Sequence, residues 1–285
     1  MQKATSRAMA GRPGAAVVVD VQSGHILAAY HLDVAARRVA HPGSAIKPFT
    51  LLALLQAGKL DGQTALMCRR TVSISGHKLD CTHPATPEPL VPASALAYSC
   101  NSYFTSVATR LTPAQLHDSF VRSGFSFPGE LAPDEVAGNV AFAHSPEELQ
   151  LQAIGEWGIS VAPLGLLRGY LDLARLARAD PGGKLSPIFE GLQQSVAYGM
   201  GRMAQPDATM KVGGKTGTAV SDEGPWTHAW FAGYAPAENP QIVLVVFLEK
   251  GHGGSEAAGV ARQIFAAFAA EHAAGVGEAA KEARQ

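Results

Sequence analysis

The sequence predicts a mixed α/β domain. Its central sheet is mostly antiparallel and built from both chain ends, with flanking helices and a helical subdomain inserted between the two halves. Three observations lead there. Strand-like runs rich in β-branched and aromatic residues lie near the start (residues 15–21 and 26–30) and in the last third (210–219, 229–234 and 241–249). The chain between them carries helical periodicity and helix-start signals. Within each end the strands are joined by short turns, Gln22-Ser23-Gly24 and residues 236–240, which suit antiparallel neighbours.

Taken in order, residues 15–21 form a valine-rich run, and with residues 26–30 they read as a hairpin. His41-Pro42-Gly43 interrupts the chain. From Ser44 onward, Phe49, Leu51, Leu52, Leu54 and Leu55 are apolar on nearly every side and Gly58 closes the segment, which describes a central, buried helix. Ser44 stands where a serine can cap this helix, and Pro48 falls in its tolerant first turn. Residues 64–92, rich in Pro, Gly, His and Thr, read as an irregular excursion. Residues 92–111 read as helix with a break around Ser99. Thr112, with Gln115 three residues on, starts a helix running to Gly124. Ser145-Pro146-Glu147-Glu148 starts another helical region. Residues 163–178 make a strong helix, ended by Ala179-Asp180-Pro181-Gly182-Gly183. Residues 255–271 close with an amphipathic helix that sets Val260, Ile264 and Phe268 on one face.

The 285 residues fit one large domain, taken as residues 14–270. Residues 1–13 are expected to be a disordered or linker segment, and residues 271–285 a frayed tail rich in Ala, Gly and charge. The 23 basic residues against 24 acidic ones leave a net charge of −1, without the basic field that nucleic-acid binding needs, so no nucleic-acid partner is expected. No apolar run approaches the roughly 20 residues of a membrane helix. The polar residues 1–14 lack the apolar core of a signal peptide.

Three short motifs carry chemistry. Ser44-Ala45-Ile46-Lys47 is S-x-x-K; on one helical turn the lysine can reach the serine hydroxyl and act as its base, provided burial lowers the lysine pKa. Ser99-Cys100-Asn101 is S-x-N; both polar side chains can point into one cleft only if the backbone there is not regular helix. Lys215-Thr216-Gly217, followed by Thr218-Ala219, is K-T-G on a strand, with Lys215 and Gly217 on one face and Thr216 and Thr218 on the other. Lys215 and Thr216 suit an anionic substrate group, Gly217 suits close approach by a substrate backbone, and an N–H near Thr218 suits an oxyanion hole. Each motif alone also fits an ordinary role: a capping serine with a surface lysine, a loop Ser and Asn, a bulged strand.

Together, S-x-x-K, S-x-N and K-T-G are the recognised signature of penicillin-binding proteins and class A β-lactamases. The chain resembles the transpeptidase domain of class B penicillin-binding proteins, and the likeness runs from about Gly14 to Ala270. Residues 14–29 (GAAVVVDVQSGHILAA) are similar to the family's opening hairpin, 42–49 (PGSAIKPF) to its nucleophile segment and 99–104 (SCNSYF) to its second motif. Residues 154–164 (IGEWGISVAPL) resemble its IGQG…VTPL segment, and 213–219 (GGKTGTA) with 228–236 (HAWFAGYAP) its third motif and the following strand.

The resemblance implies that Ser44 is the acylated nucleophile, Lys47 its general base and Ser99 a proton shuttle. It implies that Asn101 binds the substrate amide, that Lys215, Thr216 and Thr218 hold the substrate carboxylate, and that backbone N–H groups of Ser44 and Thr218 form the oxyanion hole. The implied reaction is D,D-transpeptidation of peptidoglycan stem peptides, blocked by β-lactams, at the outer face of the cell membrane or in the periplasm. The implied partner is a separate glycosyltransferase, since no sugar-polymerising module is read in this chain. A D,D-carboxypeptidase, a β-lactamase and a lactam- or peptide-binding sensor module remain open on the same motifs. Glu147 and Glu148 do not match the deacylating glutamate of class A β-lactamases, and Glu156-Trp157 replaces the family's Gln-Gly.

No cofactor is expected. His77, His83, Cys81 and Cys68 suggest zinc, but their spacing fits no standard site and the resemblance offers no metal there, so no metal is expected either. Cys68 and Cys81 can pair in an oxidising compartment or stay reduced. His228 and Trp230 read as packing residues, as do Met200, Met203 and Met210. Gly251-His252-Gly253-Gly254 lacks the Lys-Ser/Thr ending of a phosphate loop and reads as a turn.

Overall fold

The computed structural model describes residues 1–206 and 210–282, with side chains through residue 273. The chain opens with helix α1 (Gln2–Met9), the hairpin β1 (Gly14–Asp20) and β2 (Ile26–Tyr30), and a short α2 (Leu32–Arg37). The S-x-x-K segment runs through a 3-10 turn (Gly43–Ile46) into α3 (Lys47–Gln56). The excursion holds one small hairpin, β3 (Ser73–Ile74) and β4 (His77–Lys78). Then come α4 (Pro92–Ala97), α5 (Asn101–Ala108), α6 (Pro113–Arg122), β5 (Asn139–Val140), α7 (Pro146–Ile154), β6 (Ile159–Ser160), α8 (Pro163–Ala179) and α9 (Ser186–Ala197). The strands β7 (Gly213–Val220), β8 (Thr227–Ala235) and β9 (Ile242–Leu248) precede α10 (Ala258–Glu282).

Five strands form one antiparallel sheet in the order β2-β1-β9-β8-β7, so both chain ends build it. β9 lies at the centre and is buried along its whole length. Its residues alternate between two cores, as the two-residue period of a strand requires. Val243, Val245 and Phe247 face the helical side with α3 and α8, while Ile242, Leu244, Val246 and Leu248 face the side covered by α1 and α10. β7 is an edge strand. Its outer edge is where the helical subdomain meets the sheet.

Both terminal segments carry helix. Residues 2–9 are not a linker but a helix, because Ala8 and Met9 bury themselves in the core beneath α10. At the other end, α10 continues through Glu282, in keeping with the high helix propensity of its alanines; residues 283–285 lie outside the described residues. α9 was not foreseen. Gly191 in its middle obscures the helical signal, yet a Cβ there would lie 2.9 Å from the Ala93 carbonyl oxygen, so the glycine is what lets α9 pack on α4.

Helix starts follow the sequence. Thr112 and Gln115 form a reciprocal capping box, and Ser145 Oγ accepts from Glu148 N–H at 3.1 Å. Ser44 differs: it sits inside the 3-10 turn, so its hydroxyl makes no cap and stays available.

Candidate active site

The Ser44 turn is held from four directions. Trp230 Nε1 donates to the His41 carbonyl at 2.9 Å, and the buried Tyr170 hydroxyl donates to the Ala45 carbonyl at 2.8 Å. Gly43 has φ +51°, and a Cβ there would come within 2.4 Å of the Thr218 carbonyl oxygen. Gly155 has φ +82°, and a Cβ there would meet the Gly43 oxygen at 2.2 Å. Only glycine fits these contacts, because they combine a left-handed backbone with backbone atoms that cannot move aside. Trp230 was read as packing, and it does pack; its indole N–H also fixes the turn.

We expect Tyr170→Phe to lower stability by about 1–3 kcal/mol, because it orphans the buried Ala45 carbonyl. Chemical denaturation of the two proteins measures this.

The three motifs meet across wide sequence separations. Lys47 is fully buried, and its ammonium is engaged by the S-x-N turn. Its Nζ donates to the Ser99 carbonyl at 2.8 Å, to Ser99 Oγ at 3.2 Å and to Asn101 Oδ1 at 2.5 Å. Among the described residues it makes no hydrogen bond to Ser44 Oγ. An ammonium has three protons, and these three acceptors take them. Lys215, also fully buried, donates from Nζ to the same Ser99 Oγ at 2.9 Å and to the Thr216 carbonyl at 3.0 Å.

Ser99 therefore sits between two lysines. Its φ of +54° breaks the helix, as the sequence suggested, and turns both its carbonyl and its hydroxyl toward Lys47. A left-handed non-glycine residue is a strained device found mainly where geometry serves a site. Asn101 Nδ2 donates to the Leu79 carbonyl at 3.0 Å, tying the S-x-N turn to the excursion.

Gly217 lies against the Ser44 turn: a Cβ there would stand 2.2 Å from the Pro42 oxygen and 3.0 Å from Ala45, so the missing side chain lets β7 and the turn meet. The strand period is as expected. Lys215 and Gly217 face the helical side, while Thr218 faces the other, where its Oγ1 accepts from Gly253 N–H at 3.0 Å. Gly253 packs against the Gly217 carbonyl, so the Gly-His-Gly-Gly segment is a backing for β7. Thr216 is buried and Thr218 half-buried beside the turn.

The electrostatics follow from burial. Removal from water pushes the Lys47 pKa down from 10.5 to about 8, opposed by the fields of Cys100, Cys81 and Glu156. Lys215 is held well below the usual lysine range by burial and then by the neighbouring Lys47. Glu156, just after Gly155, is exposed at one end yet has its carboxyl pushed upward by partial burial, while Lys47, His41 and His77 pull it down. Glu148 is spent on its helix start, accepting from His144 N–H at 2.7 Å.

Such a site can activate a serine by a lysine that loses its proton near neutrality. A family model described as the penicillin binding protein transpeptidase domain matches residues 14–268. The chain belongs to this family. Among its relatives, the domain is 27% identical over 282 residues to the probable peptidoglycan D,D-transpeptidase PbpC of Pseudomonas aeruginosa, covering 83% of this chain and 49% of that protein. It is 25% identical over 267 residues to the peptidoglycan D,D-transpeptidase PbpA of Mycobacterium tuberculosis, covering 79% and 54%. The chain thus spans about half the length of the curated relatives it matches. Its fold is that of the crystal structure of Pseudomonas aeruginosa PBP2 in complex with WCK 5153, with a TM-score of 0.81 at 23% identity over 93% of this chain and 76% of that one. No helix among the described residues is long and apolar enough to cross a membrane.

The transpeptidase domain also brings Cys100 to three residues that the sequence had grouped, Cys68, Cys81 and His83. Behind the Ser99 turn, the ligating atoms of Cys68, Cys81, His83 and Cys100 all lie within 4.8 Å of one another, and the three cysteines are free thiols. His77 is not among them. Spacing missed Cys100, which follows His83 by 17 positions and joins only through the fold.

Proposed function

We propose that this domain is a serine D,D-transpeptidase acting on peptidoglycan stem peptides that end in D-Ala-D-Ala. The carrying observation is the Ser99 hydroxyl held between the buried Lys47 and Lys215, beside Asn101 and the Ser44 turn. Neutral Lys47 takes the Ser44 proton as Oγ attacks the carbonyl of the penultimate D-Ala. Ser99 relays a proton to the leaving amine, and D-Ala departs. An amine of a second stem peptide then attacks the ester and frees Ser44.

Asn101 holds the donor amide. Lys215, Thr216 and Thr218 receive the terminal carboxylate, whose charge restores the proton on Lys215. Backbone N–H groups of Ser44 and Thr218 belong to a turn and an edge strand in direct contact, which suits an oxyanion hole. Gly217 acts by letting that contact form. A β-lactam imitates the donor and leaves Ser44 slowly. The reaction belongs outside the cytoplasm, on glycan strands polymerised by a separate glycosyltransferase.

The test is incubation with a donor stem pentapeptide and an acceptor amine. Release of D-Ala together with the amide-linked dimer supports the reading. Release with only the hydrolysed tetrapeptide makes the domain a carboxypeptidase, and repeated lactam turnover makes it a β-lactamase.

The pH dependence has a definite sign. Only neutral Lys47 can act as base, so the second-order acylation rate with benzylpenicillin rises with pH through about 8 and levels above it. Stopped-flow acylation at constant ionic strength measures this limb.

A further inference from the structure

We propose that Cys68, Cys81, His83 and Cys100 form a structural zinc site that pins the S-x-N turn to the excursion spanning residues 64–92. The four donor atoms stand at tetrahedral spacing. With Zn–S about 2.3 Å and Zn–N about 2.0–2.1 Å, a tetrahedron places two sulfurs about 3.8 Å apart and a sulfur and a nitrogen about 3.5 Å apart. Cys81 Sγ and Cys100 Sγ are 3.7 Å apart, and Cys68 Sγ and His83 Nε2 are 3.5 Å apart. All four donor atoms fall within 4.8 Å of one another, with Cys81, His83 and Cys100 buried.

The surrounding shell agrees with that spacing. His83 Nδ1 lies 2.7 Å from the Pro84 carbonyl, an acceptor, so Nδ1 carries the hydrogen and Nε2 offers its lone pair to the cluster. Each sulfur accepts one backbone N–H: Cys68 from Arg70 at 3.3 Å, Cys81 from Ser102 at 3.3 Å, Cys100 from Tyr103 at 3.4 Å. Such bonds stabilise sulfur as thiolate, the form that binds metal. Three thiolates and an imidazole favour zinc over magnesium or calcium. Four protein ligands also complete the coordination, which marks a closed site with no position left for water or substrate.

The consequence lies in placement. Cys100 is the middle residue of Ser99-Cys100-Asn101 and the residue preceding α5. A metal bound there fixes the strained Ser99 turn from behind, while Lys47 and Lys215 hold it from the cleft. Ser99 and Asn101 are then positioned by the metal without touching it. This last step rests on the function proposed above; the metal site itself does not.

The experiment uses the whole chain purified under reductant without chelator. Elemental analysis should find one zinc per chain. Cobalt added to the stripped protein should give intense tetrahedral d–d bands and a thiolate-to-cobalt charge-transfer band. Cys68→Ser and His83→Ala should each weaken zinc binding at least about tenfold, and His83→Cys should retain it. Stripped protein should acylate with benzylpenicillin more slowly and recover on adding zinc. Wild-type protein that takes up neither zinc nor cobalt, or that carries a Cys81–Cys100 disulfide, overturns the proposal. Metal content is read apart from acylation, so a metal-loaded protein that never acylates faults the transpeptidase reading and leaves the site standing.

Discussion

Lys47→Arg should lower the acylation rate with benzylpenicillin by about 10²–10⁴-fold, the range of a lost general base. Arginine keeps a cation in place and can still donate to the Ser99 carbonyl and Asn101 Oδ1, the partners of Lys47. It cannot give up its proton near neutral pH, so it cannot serve as base. The substitution therefore separates two roles that an alanine would remove together. If the lysine acts only as a positive charge, Lys47→Arg keeps most of the activity. If it acts as a base, activity falls and the rising limb near pH 8 disappears. Rapid-mix acylation across pH reads both outcomes.

Gly217→Val should carry the second large effect. A Cβ at this position would stand 2.2 Å from the Pro42 carbonyl oxygen, and the atom it meets is backbone. The edge strand and the Ser44 turn must then separate. A displacement of about 1 Å at a reacting centre is enough for about a 10²-fold loss, and overpacking adds a destabilisation of about 1–3 kcal/mol. Gly259, at the start of α10, is the control. A Cβ there meets nothing within 4 Å, so Gly259→Ala should leave acylation unchanged and raise helix stability by up to about 1 kcal/mol. Acylation rates and unfolding midpoints of both variants make the comparison.

The legible part of this domain was what local sequence encodes. The hairpin β1–β2, the all-apolar α3, the caps at Thr112 and Ser145 and the three motifs rest on residues close in the chain. What the motifs do to one another was not legible. Lys47 and Lys215 lie 52 and 116 positions from Ser99, and only the sheet edge brings them to one hydroxyl. S-x-x-K spacing suggested that Lys47 reaches Ser44; the folded chain instead engages its ammonium with Ser99 and Asn101, acceptors no local pattern could supply. Gly217 was assigned to the substrate because a strand glycine admits a close neighbour. One such neighbour is the Ser44 turn, which no local pattern places there. Helix α1 and the place of Cys100 in the cysteine–histidine cluster escaped for the same reason: Met9 finds its core under α10, and Cys100 finds Cys81, only in three dimensions.

The central claim is that Ser44 forms the acyl-enzyme, and intact-protein mass after incubation with benzylpenicillin tests it most directly. Ser44 is half-buried and caps nothing, so Ser44→Ala should fold as the wild type does. One stable lactam adduct should form on the wild type, mapped to the peptide containing Ser44, and none on Ser44→Ala. An adduct that persists on Ser44→Ala, or folded wild-type protein that takes up no lactam, would contradict that claim.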